Sequence, residues 1–345
     1  MNITFDEANK IFRLDTSNTT YAMALTAEGL LNHIYYGKTL QNFPVNETSI
    51  PEYPTNHEDT TIEEALCIRT EEALSSLSLT YKQHEILLGK PSIHGLPSTF
   101  GLSFDTRTLR IDLEDTTLSL KVSLFYSIFS DSDCIAKSVQ IGNASFKDIY
   151  LTKVMSSSIR KFPLFTKLIF SGESYSSSRG QNLVTGLSPD DFCYKLTEGS
   201  IFRSPEVLLC VEEEPASIHA FYERHLQRHF YPEDMPPVKR ILWDFCKDYS
   251  FPDVSLEEGK DDFLKYITKW IPCDTPCCLC LPMPSILSSM QTYAKRENTY
   301  GTKFFNQLLG FYEILERLSS MNPHLYFEYE HADATPDLAM LYFCV

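Results

Sequence analysis

The sequence has little positive charge and lacks long apolar runs. Its 345 residues include 30 lysines and arginines against 46 aspartates and glutamates, a formal net charge of −16. This excess of negative charge repels nucleic-acid phosphates, so we expect no nucleic-acid partner. No stretch reaches the ~18 apolar residues of a membrane span, and residues 1–10 lack the basic and apolar regions of a secretory signal. The sequence therefore predicts a cytoplasmic protein without a membrane partner.

Cysteine is too sparse for a disulfide scaffold, because the chain has only ten. In a reducing cytosol we expect most of them to be free thiols. Four are grouped at Cys273, Cys277, Cys278 and Cys280. Zinc sites usually combine two separated ligand pairs, and no second cluster follows this one. The segment therefore has two interpretations, a metal site and an apolar or poorly ordered loop, and the pattern favours the loop.

Residues 1–215 show the period of two that is typical of half-buried strands. The clearest example is a hairpin in which Leu109, Ile111 and Leu113 alternate with polar residues before a turn at 115–117. Apolar residues alternate again from Leu118 to Ile128. Many short strands with no helical pattern between them indicate an antiparallel β-sandwich.

The pattern changes after residue 215. Residues 216–229 have helical spacing and a proline-rich stretch ends at 237, so 216–236 is predicted to be a linker helix and junction. His225 and His229 are expected on a solvated face of this helix. In 237–345, the spacing predicts strands at 238–242 and 325–328 and helices at 256–270 and 302–318. Strands that alternate with helices indicate an α/β unit.

Acidic residues crowd the end of the last predicted strand, from Glu328 through Glu330 and Asp333 to Asp337. In an α/β barrel, the carboxyl ends of the strands form the functional face. A catalytic role for these carboxylates is one hypothesis, and a solvated acidic stretch is the alternative. No G-x-S-x-G elbow, phosphate loop, H-E-x-x-H or dinucleotide fingerprint points to another chemistry.

Several short motifs in the N-terminal part follow a recognisable order. They are residues 29–38 (GLLNHIYYGK), 51–55 (PEYPT), 84–91 (HEILLGKP), 95–100 (GLPSTF), 178–180 (SRG), 196–200 (LTEGS) and 204–207 (SPEV). This series resembles the N-terminal β-supersandwich domain of bacterial α-galactosidases of glycoside hydrolase family 36. Trp243-Asp244 and residues 310–318 (GFYEILERL) resemble parts of the same family's catalytic barrel. The resemblance implies a β-supersandwich over 1–215 and an incomplete TIM-type α/β barrel over 237–345.

The resemblance also implies retaining hydrolysis of terminal α-galactosides, with one aspartate as nucleophile, another as acid/base, and no cofactor or metal. In this chain the nucleophile position aligns best with Ser289, and the acid/base position falls beyond Val345. A complete barrel takes about 250 residues, whereas 110 follow Met235. By the same resemblance, the candidate substrate-binding residues are Asp59, Trp243, Glu328 and Asp337.

Three hypotheses remain open. The first is a truncated α-galactosidase, weakly active or inactive as a lone chain, which self-associates through its incomplete barrel. The second is a non-catalytic carbohydrate-binding or interaction module, for which Tyr35, Tyr36 or Tyr53 could supply an exposed aromatic platform. The third is a working glycosidase, in which acidic residues of the 328–337 segment form a rearranged pair or a partner chain completes the barrel.

Overall fold

The computed structural model describes residues 1–40, 63–71, 74–160, 165–178, 182–211, 221, 224–225, 239–241, 249–272, 275–296, 299–330 and 337–344. Within these residues, three antiparallel sheets are followed by one parallel sheet with helices. This arrangement confirms the predicted fold class, a β-supersandwich followed by an incomplete α/β barrel. The predicted domain boundaries adjoin or lie in segments outside the described residues, 212–220 and 226–238, and they stay a prediction.

The first sheet is a four-stranded meander of β1 (Asn2–Asp6), β2 (Ile11–Asp15), β3 (Thr19–Leu25) and β4 (Leu31–Lys38). The second has seven strands, in the order β12-β17-β10-β9-β8-β7 with β16 also on β10. Its members are β7 (Thr80–Leu88), β8 (Thr106–Asp115), β9 (Leu120–Phe129), β10 (Ile135–Asn143), β12 (Phe165–Leu168), β16 (Ile201–Arg203) and β17 (Val207–Cys210).

The third sheet has six strands, in the order β13-β14-β11-β5-β6 with β15 on β11. Its members are β5 (Leu66–Arg69), β6 (Leu74–Ser75), β11 (Ile149–Arg160), β13 (Ser174–Ser177), β14 (Asn182–Leu187) and β15 (Tyr194–Leu196). We call β1–β17 the β-sandwich. The alternating apolar side chains of its strands meet in one buried cluster that includes Tyr21, Leu109, Ile128 and Leu151.

The predicted hairpin is confirmed as β8 and β9. Its turn is held by Asp115, whose Oδ1 accepts hydrogen bonds from the backbone N–H of Thr117 at 2.9 Å and of Leu118 at 3.0 Å. An aspartate at a turn can satisfy the backbone groups that the strands leave unpaired. The register pairs Leu109 with Tyr126, so that both lie on the buried face.

The C-terminal part, which we call the parallel unit, follows the junction. Its strands are β18 (Lys239–Ile241), β19 (Cys277–Leu281) and β20 (Leu325–Tyr329), all parallel, with β19 central. Its helices are α1 (Glu257–Ile267), α2 (Met283–Ala294), α3 (Tyr300–Met321) and α4 (Leu338–Leu341). The predicted elements at 238–242, 256–270, 302–318 and 325–328 correspond to β18, α1, α3 and β20.

The cysteine segment was predicted to be a loop, and this prediction is wrong. Cys277, Cys278 and Cys280 lie in the central strand β19, buried or half-buried. A short apolar run without alternation is typical of a strand covered on both faces. Cys134, the residue before β10, forms a disulfide with Cys210 of β17, whereas six other described cysteines are free thiols.

The parallel unit packs directly against the β-sandwich through α3. Phe305 of this helix is 3% exposed and lies in the sandwich core. The backbone N–H of Cys193 donates to Thr302 Oγ1 at 2.7 Å, and the backbone N–H of Ser171 donates to Tyr312 Oη at 3.0 Å. A second core cluster joins sandwich residues to the helices of the parallel unit. The two regions therefore share their apolar interior.

Gly310 sets the distance between α3 and the segment before α1. A Cβ at this position would lie 1.8 Å from the carbonyl oxygen of Val254. Only glycine permits this approach of two backbones. Nearby, Asp253 is held by Lys303 at 2.7 Å and by Gln307 Nε2 at 2.6 Å, which fixes the segment on the helix. None of the described helices is long and apolar enough to cross a membrane.

Candidate functional site

One side of the parallel sheet carries polar and thiol side chains, of which Arg240 and Glu328 are partly exposed and Cys278 and Tyr326 are buried. Side chains alternate along a strand, so Arg240, Cys278, Cys280, Tyr326 and Glu328 share one side of the sheet. The opposite side packs into the core with the helices. In a complete barrel the helices lie outside, so the first side corresponds to the barrel interior. We call these five residues the inner face.

Glu328 is paired across the inner face. Its Oε1 accepts a hydrogen bond from the Arg240 guanidinium, and Cys280 Sγ lies 3.5 Å from its Oε2. The two edge strands, β18 and β20, are thus linked by a side-chain contact that crosses the central strand β19. Because the Arg240 and Glu328 side chains are 64% and 38% exposed, solvent weakens this ion pair.

Asp337 lies at the start of α4. Its Oδ1 accepts hydrogen bonds from the backbone N–H of Ala339 at 2.9 Å and of Met340 at 3.4 Å, which is the arrangement of an N-cap. Tyr329 Oη donates to the Asp337 carbonyl oxygen at 3.3 Å. Burial raises the pKa of the Asp337 carboxyl above its ordinary value. A carboxyl of this kind could donate a proton, but its oxygen is engaged by the helix.

The thiols near the inner face are unreactive by their environment. Burial raises the pKa of Cys278 to about 12 and raises those of Cys280 and Cys344 as well. Protonated thiols are poor nucleophiles and poor metal ligands. Among the described residues no group of histidines, cysteines and carboxylates could hold a metal ion.

Of the remaining predicted residues, the structure describes Ser289. Ser289 lies within helix α2 rather than at a strand end, and its hydroxyl donates to the Ser285 carbonyl at 2.9 Å. Asp59, Trp243 and Tyr53 lie outside the described residues, as do Asp333 and His229.

Two exposure predictions are wrong. Tyr35 and Tyr36, expected as exposed aromatic platforms, are 5% and 0% exposed. His225, expected on a solvated face, is buried, with Nε2 3.0 Å from Asp131 Oδ1 and its ring against Phe129. In each case an apolar body makes burial favourable, and the polar atom finds a partner. The tyrosine Oη atoms reach backbone carbonyls.

Three of the recognisable sequence motifs converge on a buried ion pair that pattern reading missed. Lys90 Nζ lies 2.7 Å from Glu206 Oε2, and the two side chains are 4% and 1% exposed. The other carboxylate oxygen of Glu206 accepts hydrogen bonds from the backbone N–H and the hydroxyl of Thr99, both at 2.7 Å. Residues 84–91, 95–100 and 204–207 are therefore joined at one point.

A second buried cation, Lys137 of β10, was also missed. Its ammonium lies 5.1 Å from the centre of the Tyr126 ring, and no ion pair joins it to another described residue. Burial lowers the pKa of Lys137 to about 7. Burial, with a further contribution from the Lys137 charge, lowers the pKa of His33 to about 3. The sandwich core thus holds two groups that burial drives toward their neutral forms.

Comparison with known proteins gives these motifs a context. Residues 29–173 match the family model "Glycosyl hydrolase family 36 N-terminal domain". An α-galactosidase of Lactobacillus acidophilus is 30% identical over 179 residues, which is 45% of this chain and 24% of that protein. The chain is therefore similar to α-galactosidases of glycoside hydrolase family 36. A bifunctional α-galactosidase/sucrose kinase of Mediterraneibacter gnavus is 29% identical over 337 residues, 71% of this chain and 36% of that protein.

The fold of the chain is that of solved family 36 α-galactosidases. The crystal structure of a family 36 α-galactosidase from Geobacillus stearothermophilus matches 100% of this chain and 74% of its own, with a TM-score of 0.74 and 16% identity. The chain spans about a quarter to a third of the two curated relatives named above.

Proposed function

We propose that this α-galactosidase-like protein recognises α-galactosides, and that its 345 residues hydrolyse them weakly or not at all. One observation carries the proposal: the two acidic candidates, Glu328 and Asp337, are each committed elsewhere, one to Arg240 and the other to the start of α4. A retaining glycosidase needs two available carboxyl groups about 5–5.5 Å apart. Three parallel strands are described, whereas a complete barrel has eight.

Sugar recognition is supported by the relatives. Structures of variants of a Geobacillus stearothermophilus α-galactosidase contain stachyose and raffinose, and they match 97% of this chain with TM-scores of 0.72 and 0.67. Terminal α-galactosides are therefore the first ligands to test. Binding without turnover would support the alternative of a non-catalytic carbohydrate-binding module.

The test is hydrolysis of a chromogenic aryl α-galactoside by the purified chain, beside Glu328→Gln and Asp337→Asn variants. The Lactobacillus acidophilus relative serves as the positive control. We expect a rate that is the same in all three proteins and far below that of the relative. Turnover that disappears in one variant would overturn the proposal, because it would show that this carboxylate acts in the reaction.

Raffinose titration by calorimetry tests the recognition arm. We expect saturable binding to the wild-type chain, with no release of galactose during the titration. If a folded sample shows no heat of binding with raffinose, stachyose or galactose, sugar recognition is contradicted. A failure of sugar binding would not affect the prediction of weak or absent hydrolysis, because binding and hydrolysis are measured separately.

Cytoplasmic location also belongs to the proposal. Six free cysteines among the described residues favour a reducing compartment, whereas the Cys134–Cys210 pair favours an oxidising one. Cell fractionation followed by thiol titration decides between them. Recovery in the cytoplasm supports the proposal, and recovery outside the cell contradicts it.

A further inference from the structure

A cavity of about 180 Å³, lined by both polar and apolar side chains, lies against the seven-stranded sheet. The loop at 90–94 covers it, and its floor includes Phe125, Ser138 and Gln140 of β9 and β10. One water needs only ~10–15 Å³ of such space, so the cavity holds several waters or a small ligand. It lies in the β-sandwich, away from the inner face, and the proposed function does not use it.

Lys90 brings an incompletely satisfied ammonium to this cavity. An ammonium has three N–H donors, and the acceptor beside Lys90 is Glu206 Oε2. Among the described residues, Lys90 Nζ has no hydrogen bond of good geometry. The second oxygen of Glu206 is already used by Thr99. Buried donors without acceptors are unfavourable, so a ligand with acceptor oxygens would stabilise this corner.

Arg203 adds a second positive charge. Its half-buried side chain lines the cavity, and neither an ion pair nor a side-chain hydrogen bond joins it to another described residue. His94 lies at the exposed rim, where Glu316 of α3 is within electrostatic range. Glu206 is the sole carboxylate among the residues lining the cavity. In a chain of net charge −16 this is a local excess of cationic donors.

We propose that the cavity between the 90–94 loop and the seven-stranded sheet binds a small phosphate-bearing ligand, with Arg203 and Lys90 as its charged donors. A guanidinium fits two oxygens of one phosphate, and charge-assisted hydrogen bonds are the stronger class. Gln140, Ser138 and the Phe125 ring lie where an uncharged part of the ligand, such as a sugar ring, could rest. The chemistry admits two sources, free phosphate and a hexose phosphate.

Calorimetric titration of the whole chain separates these sources with three probes: inorganic phosphate, galactose 6-phosphate and galactose. We expect saturable binding of at least one of the two anionic probes, galactose 6-phosphate and inorganic phosphate. The probe that binds more tightly identifies the source of the phosphate group. Arg203→Gln should weaken the affinity at least tenfold. Arg203→Lys keeps the positive charge but loses the two parallel N–H donors of the guanidinium, so this variant should retain part of the affinity.

Arg296→Gln is the matched control, because Arg296 is an exposed arginine in the parallel unit whose loss removes the same charge. It should bind the anionic probes as the wild type does. Far-UV circular dichroism checks that each variant is folded. The proposal is overturned if neither anionic probe binds the folded wild-type chain, or if Arg203→Gln binds them as well as wild type.

Discussion

The β-sandwich and the inner face of the parallel unit each hold an ion pair, and the two pairs differ in burial. In the sandwich, the Lys90–Glu206 pair is buried, and Thr99 donates two hydrogen bonds to the second carboxylate oxygen of Glu206. On the parallel unit, the Arg240–Glu328 pair is largely exposed. The sandwich therefore holds this pair in its interior, whereas the inner face keeps its pair near solvent. The recognisable motifs follow this division, because they are concentrated where the charges are buried.

This difference also separates fold from chemistry. A barrel active site depends on side chains that several strand ends bring together. Here the described strand ends bring one carboxylate to an arginine and leave another at a helix start. The sandwich keeps its apolar core, and α3 extends that core into the parallel unit. Similarity to the family thus describes the architecture of the chain, whereas catalysis depends on the placement of its carboxylates.

The largest effect that tests this comparison is expected for Glu206→Gln. It leaves the Lys90 charge buried without its partner, which costs roughly 3–5 kcal/mol. The matched Glu328→Gln change at the exposed pair should cost less than about 1 kcal/mol. Urea unfolding of both variants measures the difference. Equal losses would mean that the two pairs have the same structural role.

The next effect is expected for Gly310→Ala. The added Cβ would meet the Val254 carbonyl at 1.8 Å, so the helix must move and the shared core loosens. We expect a loss of about 3 kcal/mol in the free energy of unfolding. Gly142→Ala is the control in the sandwich, where the nearest atoms would be 4.0 Å away. A Gly310→Ala variant as stable as Gly142→Ala would contradict the close packing of α3.

Lys137→Met tests the buried cation. The folded pKa of about 7 lies below the ordinary value of 10.5, so the unfolded chain binds more protons between these values. Stability should therefore rise with pH from about 7 towards 10.5, and this part of the rise should vanish in the variant. The variant should also be more stable at pH 7, by roughly 2–4 kcal/mol. If the stability of the wild type and of the variant changed with pH by the same amount, the lowered pKa of Lys137 would be refuted.

The smallest effect is expected for Asp337→Asn. Asparagine is also a good N-cap, so α4 should keep most of its stability, with a change below about 1 kcal/mol. Asp337→Ala removes the cap and should cost about 1 kcal/mol. Thermal unfolding of both variants is the measurement. A large loss in the asparagine variant would show that the carboxylate charge itself is needed.

The sequence predicted the alternating strands well and the parallel unit in part. The β8–β9 hairpin was readable because Leu109 and Leu113 alternate with polar residues and an aspartate begins the turn. β19 was missed because a short apolar run has no period, and its cysteines suggested a loop. Helix α2 was missed because a serine-rich stretch after two prolines has weak helical preference.

The buried charged residues could not be predicted from the sequence pattern. Lys90 and Glu206 are far apart in the chain, and no spacing rule connects them. Lys137 occupies an inward position of a strand, where alternation predicts an apolar residue. Positions that depart from the local pattern are where function or internal structure is concentrated.

The most direct test of the central claim is active-site labelling. A retaining glycosidase forms a covalent glycosyl ester with its carboxylate nucleophile, and an activated fluorinated α-galactoside traps that ester. The chain and the Lactobacillus acidophilus relative are incubated with the reagent, and their intact masses are measured. We predict an adduct on the relative and an unchanged mass for this chain. A stoichiometric adduct that maps to Glu328, Asp337 or another carboxylate of this chain would contradict the account.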